Sequence, residues 1–330
     1  MCKNFRRFIM TSMRTLTVTL LLLFFAQQSF AESDEIETWH NVISDSTDTG
    51  TLGGVSISLS GNNTSFESNE MMAEEWPQLI EVYTATWCLN CVQTEAVTNS
   101  LIIPDDESIM QVHYHRFIAE TQDPFGSQAT DDRWVERYGQ TSQIAGSFER
   151  IAPSNVFDGE RLHIGTSPQS DSLTTDYQIS LEAGTSIDDS SSIELLDSFA
   201  KLSWSNESGE NLFSWNISTP SLSEFYTISP MLFFVEEVGY FPEGGNGEEY
   251  YHHILRDVVE LTSSGSSFSN TGQISIDHNS AYDGDDLSAV LVFDWHYNND
   301  EDGAFDALPY PSAVIFVSFF AASLYSRKDN

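Results

Sequence analysis

The sequence predicts an α/β domain followed by an all-β sandwich and, last, an apolar helix. Three observations carry that reading. A Cys-x-x-Cys motif stands between a short apolar run, Leu79 to Thr84, and a stretch that reads as the start of a helix. Beyond about residue 177, short β-type runs alternate with clusters of Ser, Asn, Gly and Asp. Charge-free apolar segments lie near both termini.

The first segment, 1–31, has the layout of a secretory signal. Lys3, Arg6, Arg7 and Arg14 form a basic region, Leu16 to Phe25 an apolar one, and Ser29-Phe30-Ala31 a small-residue cleavage site. Cleavage there removes Cys2, so an exported chain keeps one isolated pair, Cys88 and Cys91. Residues 32–75, rich in Ser, Thr, Asp, Glu and Gly, read as an acidic flexible lead with one strand at Gly54 to Leu59.

Residues 76–168 supply the α/β pattern. After the Leu79–Thr84 strand and the helix carrying the cysteines come a second strand at Met110 to Phe117 and a helix at Asp131 to Tyr138 stopped by Gly139. A third strand at Asn155 to Asp158 turns at Gly159. The order is β-α-β-α-β-β. Only a thiolate is nucleophilic, and a helix N-terminus sets unpaired N–H groups and partial positive charge beside the first sulfur. Cys88 is therefore the expected attacking sulfur. Cys91, three residues on and on the same helical face, is placed to resolve a mixed disulfide.

A strand running into Trp87-Cys88-Leu89-Asn90-Cys91 resembles the thioredoxin superfamily, and Ala152-Pro153-Ser154 resembles its cis-proline loop. The resemblance implies that Trp87, Ala152 and Pro153 form the substrate-binding set, with the backbone before the proline pairing with a bound peptide. Two departures bear on mechanism. The strand position where thioredoxins hold a buried aspartate is Val82, with Glu81 facing the other way, and the dipeptide between the cysteines is Leu89-Asn90. Reductant, oxidant and isomerase all stay open. The chain also resembles a family of secreted thioredoxin-like proteins in Trp87, Asp123-Pro124-Phe125, Arg133, Tyr138-Gly139 and Ala152-Pro153. The stretches Met231 to Glu237, Asn246 to Glu249 and His252 to Asp257 resemble the β-rich second domain of that family and of the similar Omp28-type outer-membrane proteins.

Residues 169–297 read as an immunoglobulin-like sandwich. The expected strands are Tyr177 to Leu181, Lys201 to Trp204, Leu212 to Ile217, Met231 to Glu236, Gln273 to Ile276 and Leu287 to Trp295. His252, His253 and Arg256 read as strand surface. Residues 298–307 are an acidic linker. In 308–330 the uncharged run Ser312 to Tyr325 precedes Arg327-Lys328, as in a C-terminal membrane helix or a cleaved sorting signal, with a packed C-terminal element as the alternative.

Charge and ligand counts exclude other classes. Without the four basic residues of the leader the chain carries 9 basic and 50 acidic residues, a formal charge of −41, which repels nucleic acid. Zinc needs about four ligands, and His113 and His115 have no second Cys-x-x-Cys or His-x-x-x-His to complete a set. No metal or cofactor is expected. Asn62, Asn63, Asn206 and Asn216 lie in glycosylation sequons. A disulfide spanning three residues restrains the unfolded chain little, which favours a redox bond over a staple. The expected protein is exported and held by its C-terminus at the outer face of the cytoplasmic membrane or the cell surface. It exchanges disulfides with extracytoplasmic thiol or disulfide proteins and with a membrane electron donor or acceptor. The alternative is a surface binding or structural protein with Cys88–Cys91 as a clamp.

Overall fold

The computed structural model describes residues 40–41, 49–59, 65–102, 107–120, 122–188, 194–206, 210–261, 264–266, 269–276 and 286–298. Strands take up 44% of these residues and helices 22%. In chain order they are β1 (His40–Asn41), β2 (Thr49–Leu52), β3 (Ser56–Ser58), β4 (Phe66–Met72), β5 (Gln78–Thr84), α1 (Leu89–Leu101) and β6 (Ile109–His115). Next come α2 (Gln128–Trp134), a π turn (Val135–Gly139), α3 (Gln140–Gly146), β7 (Ser154–Phe157), β8 (Arg161–Ile164) and α4 (Leu173–Ala183). The last part holds β9 (Phe199–Ser205), β10 (Leu212–Ser218), β11 (Tyr226–Tyr240), β12 (Tyr250–Glu260), β13 (Ser264–Ser266), β14 (Ser269–Ser275) and β15 (Leu287–Tyr297).

One ten-stranded sheet runs β1-β8-β7-β5-β6-β12-β11-β15-β2, with β3 also on β15; a second, five-stranded sheet runs β13-β14-β10-β9-β4. The joint in the large sheet is β6 against β12, parallel, with His113 opposite Ile254. Its centre is apolar on both faces. Phe234, Leu291 and Phe293 meet the small sheet, whereas Phe233, Val290 and Val292 meet Trp134 and Tyr138 of the helical layer. A strand covered on both faces must be apolar without alternation, and β11 accordingly reads Met-Leu-Phe-Phe-Val. In the small sheet the period of two is clean: Ala200, Leu202 and Trp204 of β9 and Phe213, Trp215 and Ile217 of β10 point inward, and their neighbours are half-buried.

This architecture corrects the expected fold class. The chain is mainly β, and no thioredoxin-like α/β domain stands apart from an immunoglobulin-like sandwich, because the large sheet passes without interruption through both predicted domains. The acidic lead is drawn in too. β2 and β3 pair with β15, and β4 edges the small sheet against β9. Composition had argued for a free lead; tertiary pairing outweighs it, because β2 is wholly buried.

Tyr177 to Leu181, expected as a strand, lies in α4, where Ser172 caps the Thr175 N–H and Asp176 and Tyr177 face inward. Gly139 does not stop its helix. The π turn carries the chain through it to Gly146, and the left-handed Ser147 follows. Among the described residues no helix is long and apolar enough to cross a membrane. The expected transmembrane helix is corrected to that extent; the segments 1–31 and 308–330, expected as signal and apolar helix, lie outside the described residues.

Candidate functional site

β5 ends at Thr84, and the chain turns through Ala85, Thr86 and Trp87 into α1. Cys88 is the N-cap of that helix: its backbone is extended, its N–H donates to the Ala85 carbonyl at 2.9 Å, and its Sγ accepts from the Cys91 N–H at 3.2 Å. Thr94 and Thr98 each return a hydroxyl to the preceding turn, at 2.9 Å, on the buried face below Cys91. The two cysteines are joined by a disulfide. Cys88 is 5% exposed and Cys91 fully buried, while Trp87 (38%) and Leu89 (66%) stand open around them.

Of the sequence-predicted site residues, Cys88, Cys91 and Ala152 come together. Ala85, Cys88 and Cys91 form a small apolar cluster, and Ala152 packs against it from the loop ahead of β7. The Ala152–Pro153 peptide bond is cis. The loop is fixed below by Ser154 Oγ donating to the Ile151 carbonyl (2.7 Å) and by Gly165 N–H donating to the Pro153 carbonyl (2.9 Å). Trp87 lies next to Cys88 in the chain, and its indole N–H donates to the Glu120 carboxylate.

Around the turn that leads from β5 to Cys88 lies a polar set that sequence reasoning missed. Glu95 of α1 accepts from Thr84 Oγ1 at 2.7 Å. Desolvation pushes the Glu95 carboxyl above its ordinary pKa, although the Thr84 hydroxyl and His115 pull the other way. Asp123 Oδ2 accepts from the Thr86 N–H and lies 2.8 Å from His115 Nδ1, both side chains being buried. His115 Nε2 has no hydrogen-bond partner among the described residues, nor has Thr86 Oγ1. The β11–β12 loop closes the far side. Asn246 N–H donates to the Thr86 carbonyl (3.1 Å), and Tyr251 Oη sits 2.9 Å from Asn246 Oδ1. Burial pushes the Tyr251 phenol up to about 12. A Cβ on Gly244 would fall 2.0 Å from that phenol oxygen, so only glycine lets the loop pass. Glu95 was legible as the residue four beyond Cys91; Asp123 and Tyr251 reach the site only through long-range pairing.

A second polar centre lies on the other face of β5. Glu81, fully buried, accepts from Tyr114 Oη at 2.6 Å and from Tyr138 Oη. Arg133 stands 3.5 Å from Glu81 and donates to Asp294 of β15 through both Nη atoms, at 2.6 and 3.0 Å. Asp294 also accepts from Thr51 of β2 at 2.9 Å, and the two arginines beside it, Arg133 and Arg137, hold its carboxyl down at about 2 against burial. Val82, on the opposite face, packs with Ile80, Phe157 and Tyr177.

His252, His253 and Arg256 do not form a site together. His253 lies 3.2 Å from Glu237 in a left-handed backbone (φ 54°). Arg256 pairs with Glu236 and covers the Phe125 ring, its guanidinium carbon being 4.7 Å from the centroid. His113 is buried against His253, which with desolvation lowers its pKa well below the usual histidine range. Among the described residues no group of three or more His, Cys, Asp or Glu is arranged to hold a metal ion. A cavity of about 660 Å³ lies between Trp76, Asp158, Arg161 and Leu195, and neither cysteine lines it.

No family model matches the chain, and no curated protein matches it either. Two solved structures align over part of it. HBP35 of Porphyromonas gingivalis is 15% identical over 66% of this chain and 68% of its own, with a TM-score of 0.40. Protein AGR_C_4864 from Agrobacterium tumefaciens is 10% identical over 68% and 95%, with a TM-score of 0.38. At these scores neither likeness carries an argument about fold or activity.

Proposed function

We propose that this protein is exported and exchanges disulfides with extracytoplasmic proteins through Cys88 and Cys91. The observation that carries the reading is the asymmetry of the pair. Cys88, 5% exposed between the open Trp87 and Leu89, caps the N-terminus of a 13-residue helix, and Cys91 lies fully buried one turn in. The helix terminus favours a thiolate on Cys88 and makes it the better leaving group, while Cys91 is reached only from within. Ala152, packed against both, and the exposed Trp87 and Leu89 frame the approach of a partner chain. The basic, apolar and small-residue order of 1–31 supports export, as does a disulfide, which persists in oxidising compartments.

The test is a trap. A Cys91→Ser variant should accumulate mixed disulfides through Cys88 when mixed with an oxidised protein substrate, and alkylation of the reduced wild type should mark Cys88 before Cys91. Equal labelling and no trapping would overturn the reading. They would favour a surface binding or structural protein with the bond as a clamp, for which the 5% exposure of Cys88 speaks.

A further inference from the structure

The cysteines use one end of β5, and the cavity of about 660 Å³ lies at the other. That strand runs seven residues, so about 20 Å separate Thr84, where the turn to Cys88 begins, from Gln78, which lines the cavity. We propose that this cavity binds a small organic amine, with the ammonium on Asp158 and an apolar body against Trp76, Leu52 and Leu195. Such a site needs nothing from the exchange reading.

The cavity has two kinds of wall. Leu52, Trp76, Pro77 and Leu195 give an apolar one; Asp158, Glu74 and the end of α4 give a polar one. A volume of this size is usual for a site that takes a small molecule. Trp76 is held in place: its indole N–H donates to the Met71 carbonyl at 3.4 Å, and the Phe293 ring lies 4.7 Å from it, centroid to centroid. Of the aromatic side chains, an indole is the best neighbour for a cation.

Asp158 supplies the charge. It is 3% exposed and fixed in the turn between β7 and β8, where its N–H donates to the Leu79 carbonyl and its Oδ1 accepts from the Leu79 N–H at 2.9 Å. Among the described residues Oδ2 meets only the Gln78 amide, at 3.4 Å, although a carboxylate can accept about four hydrogen bonds. Asp158 and Gln78 both line the cavity, so that is where the remaining capacity can be met. The charged neighbours are Glu160 and Arg161 from the same hairpin and Glu74 from the segment ahead of β5. Arg161 is committed elsewhere, donating to the Gly184 carbonyl at 2.6 Å and lying 3.8 Å from Glu160. The two oppose each other at Asp158, Glu160 raising its pKa and Arg161 lowering it. α4 ends on the same wall, in Ala183 and Gly184, with no basic residue in its last turn, and the partial negative charge of a helix C-terminus favours a cation. Burial raises the Asp158 carboxyl to about 7. An ammonium beside it restores the carboxylate, so below that pH binding releases a proton to water.

The probe is phenethylamine, and phenethyl alcohol is its uncharged counterpart of nearly the same shape. Each is titrated into the isotope-labelled full chain and followed at the Trp76 indole N–H resonance, which Trp76→Phe identifies by its loss. The amine should bind about tenfold more tightly at pH 8 than at pH 6, as Asp158 passes from about one-tenth to about nine-tenths ionised, and the alcohol should bind equally at both. Asp158→Asn, which keeps an acceptor for the Leu79 N–H, should weaken the amine by about tenfold or more, the worth of a hydrogen bond between charged groups, and should abolish its pH dependence. Should that variant not fold, the two probes and the two pH values decide on the wild type alone. Equal binding of amine and alcohol, an amine affinity that ignores pH, or a Trp76 resonance unmoved at about 10 mM amine would overturn the site. Reaction of the cysteine pair with glutathione should be the same with and without the amine. An amine that alters it acts at the cysteines, which would overturn the assignment to this cavity. A cysteine pair inert to glutathione would overturn the exchange reading and leave the amine site standing.

Discussion

Glu81 and Cys88 are seven residues apart, one within β5 and the other just past its end, and the chain treats them in opposite ways. Around Glu81 every charge is answered: two tyrosine hydroxyls and Arg133 face it, and Arg133 continues to Asp294 across to β15. Around the sulfurs the contacts are those of packing, from Ala85 and Ala152, and in the polar set around the turn His115 Nε2 and Thr86 Oγ1 stay unpaired among the described residues. The first arrangement locks two parts of one sheet together. The second leaves buried polar atoms without partners. A polar interior fully satisfied is rigid, and one partly satisfied is either a defect or a place where chemistry is done.

The sharpest way to break the comparison is to remove the cation at its rigid end. Arg133→Met takes the nearest cation from buried Glu81 and leaves Asp294 with Arg137 alone, and losing one member of a buried ion pair costs about 3–5 kcal/mol. Urea denaturation should show that loss as an earlier midpoint, and the glutathione reaction of whatever remains folded should be little changed. A stability loss below about 1 kcal/mol would mean that the network does not hold the sheet together.

Acid tests the same centre more gently. Asp294 titrates near 2 in the folded chain against an ordinary 3.8. Its folded pKa is depressed, so its contribution is fully present above pH 4 and is lost as pH falls from about 4 through 2. At 1.36 kcal/mol per unit this is roughly 2 kcal/mol. Asp158 runs the other way. Burial raises its carboxyl from 3.8 to about 7, so that group favours the folded state least above pH 7 and progressively more as pH drops toward 4. Denaturation midpoints across pH 2–8 should rise from 2 to 4. Asp294→Asn should flatten that rise, and Asp158→Asn the fall above it.

At the sulfur end the expected effects on stability shrink. A ring closed over three residues restrains the unfolded chain by about 2 kcal/mol or less, so reducing the bond, or replacing both cysteines by serine, should leave the fold standing. In the double serine variant exchange with glutathione should vanish. If reduction instead unfolds the protein, the bond is a clamp, and the two regions do not differ in the way described.

Legibility followed the same division. The Cys-x-x-Cys helix start was readable because its signals are local: an apolar strand, then a cap, then three residues to a second sulfur. So were β9, β10 and β15, whose side chains alternate or run apolar. The division into two domains was not readable correctly, because the bond between β6 and β12 joins residues about 140 apart and leaves no trace in either stretch. The Ser- and Glu-rich β4 looked like linker, since an edge strand needs few apolar residues. The stretch Tyr177 to Leu181, rich in β-type residues, became helix through its Ser172 cap and the inward packing of Tyr177. Asp123 and Arg133, marked in the sequence only by resemblance, are the residues that tie each polar centre to a distant strand or loop.

The smallest expected effect sharpens the contrast most, because it separates reactivity from stability at one exposed position. Leu89 is the first residue of α1, 66% exposed and adjacent to Cys88. A charge there meets the Cys88 thiolate at a few ångströms in water, an interaction of about 1 kcal/mol, or roughly fivefold in rate. Leu89→Glu should therefore slow adduct formation with glutathione and Leu89→Lys should speed it, both effects shrinking as salt is raised. Stability should move in the opposite sense and only by about 0.3–1 kcal/mol, since an anion suits a helix N-terminus and a cation does not. Adduct-formation rates that follow stability instead of opposing it, or that ignore the sign of the charge, would show that Cys88 does not react as a thiolate at this helix end.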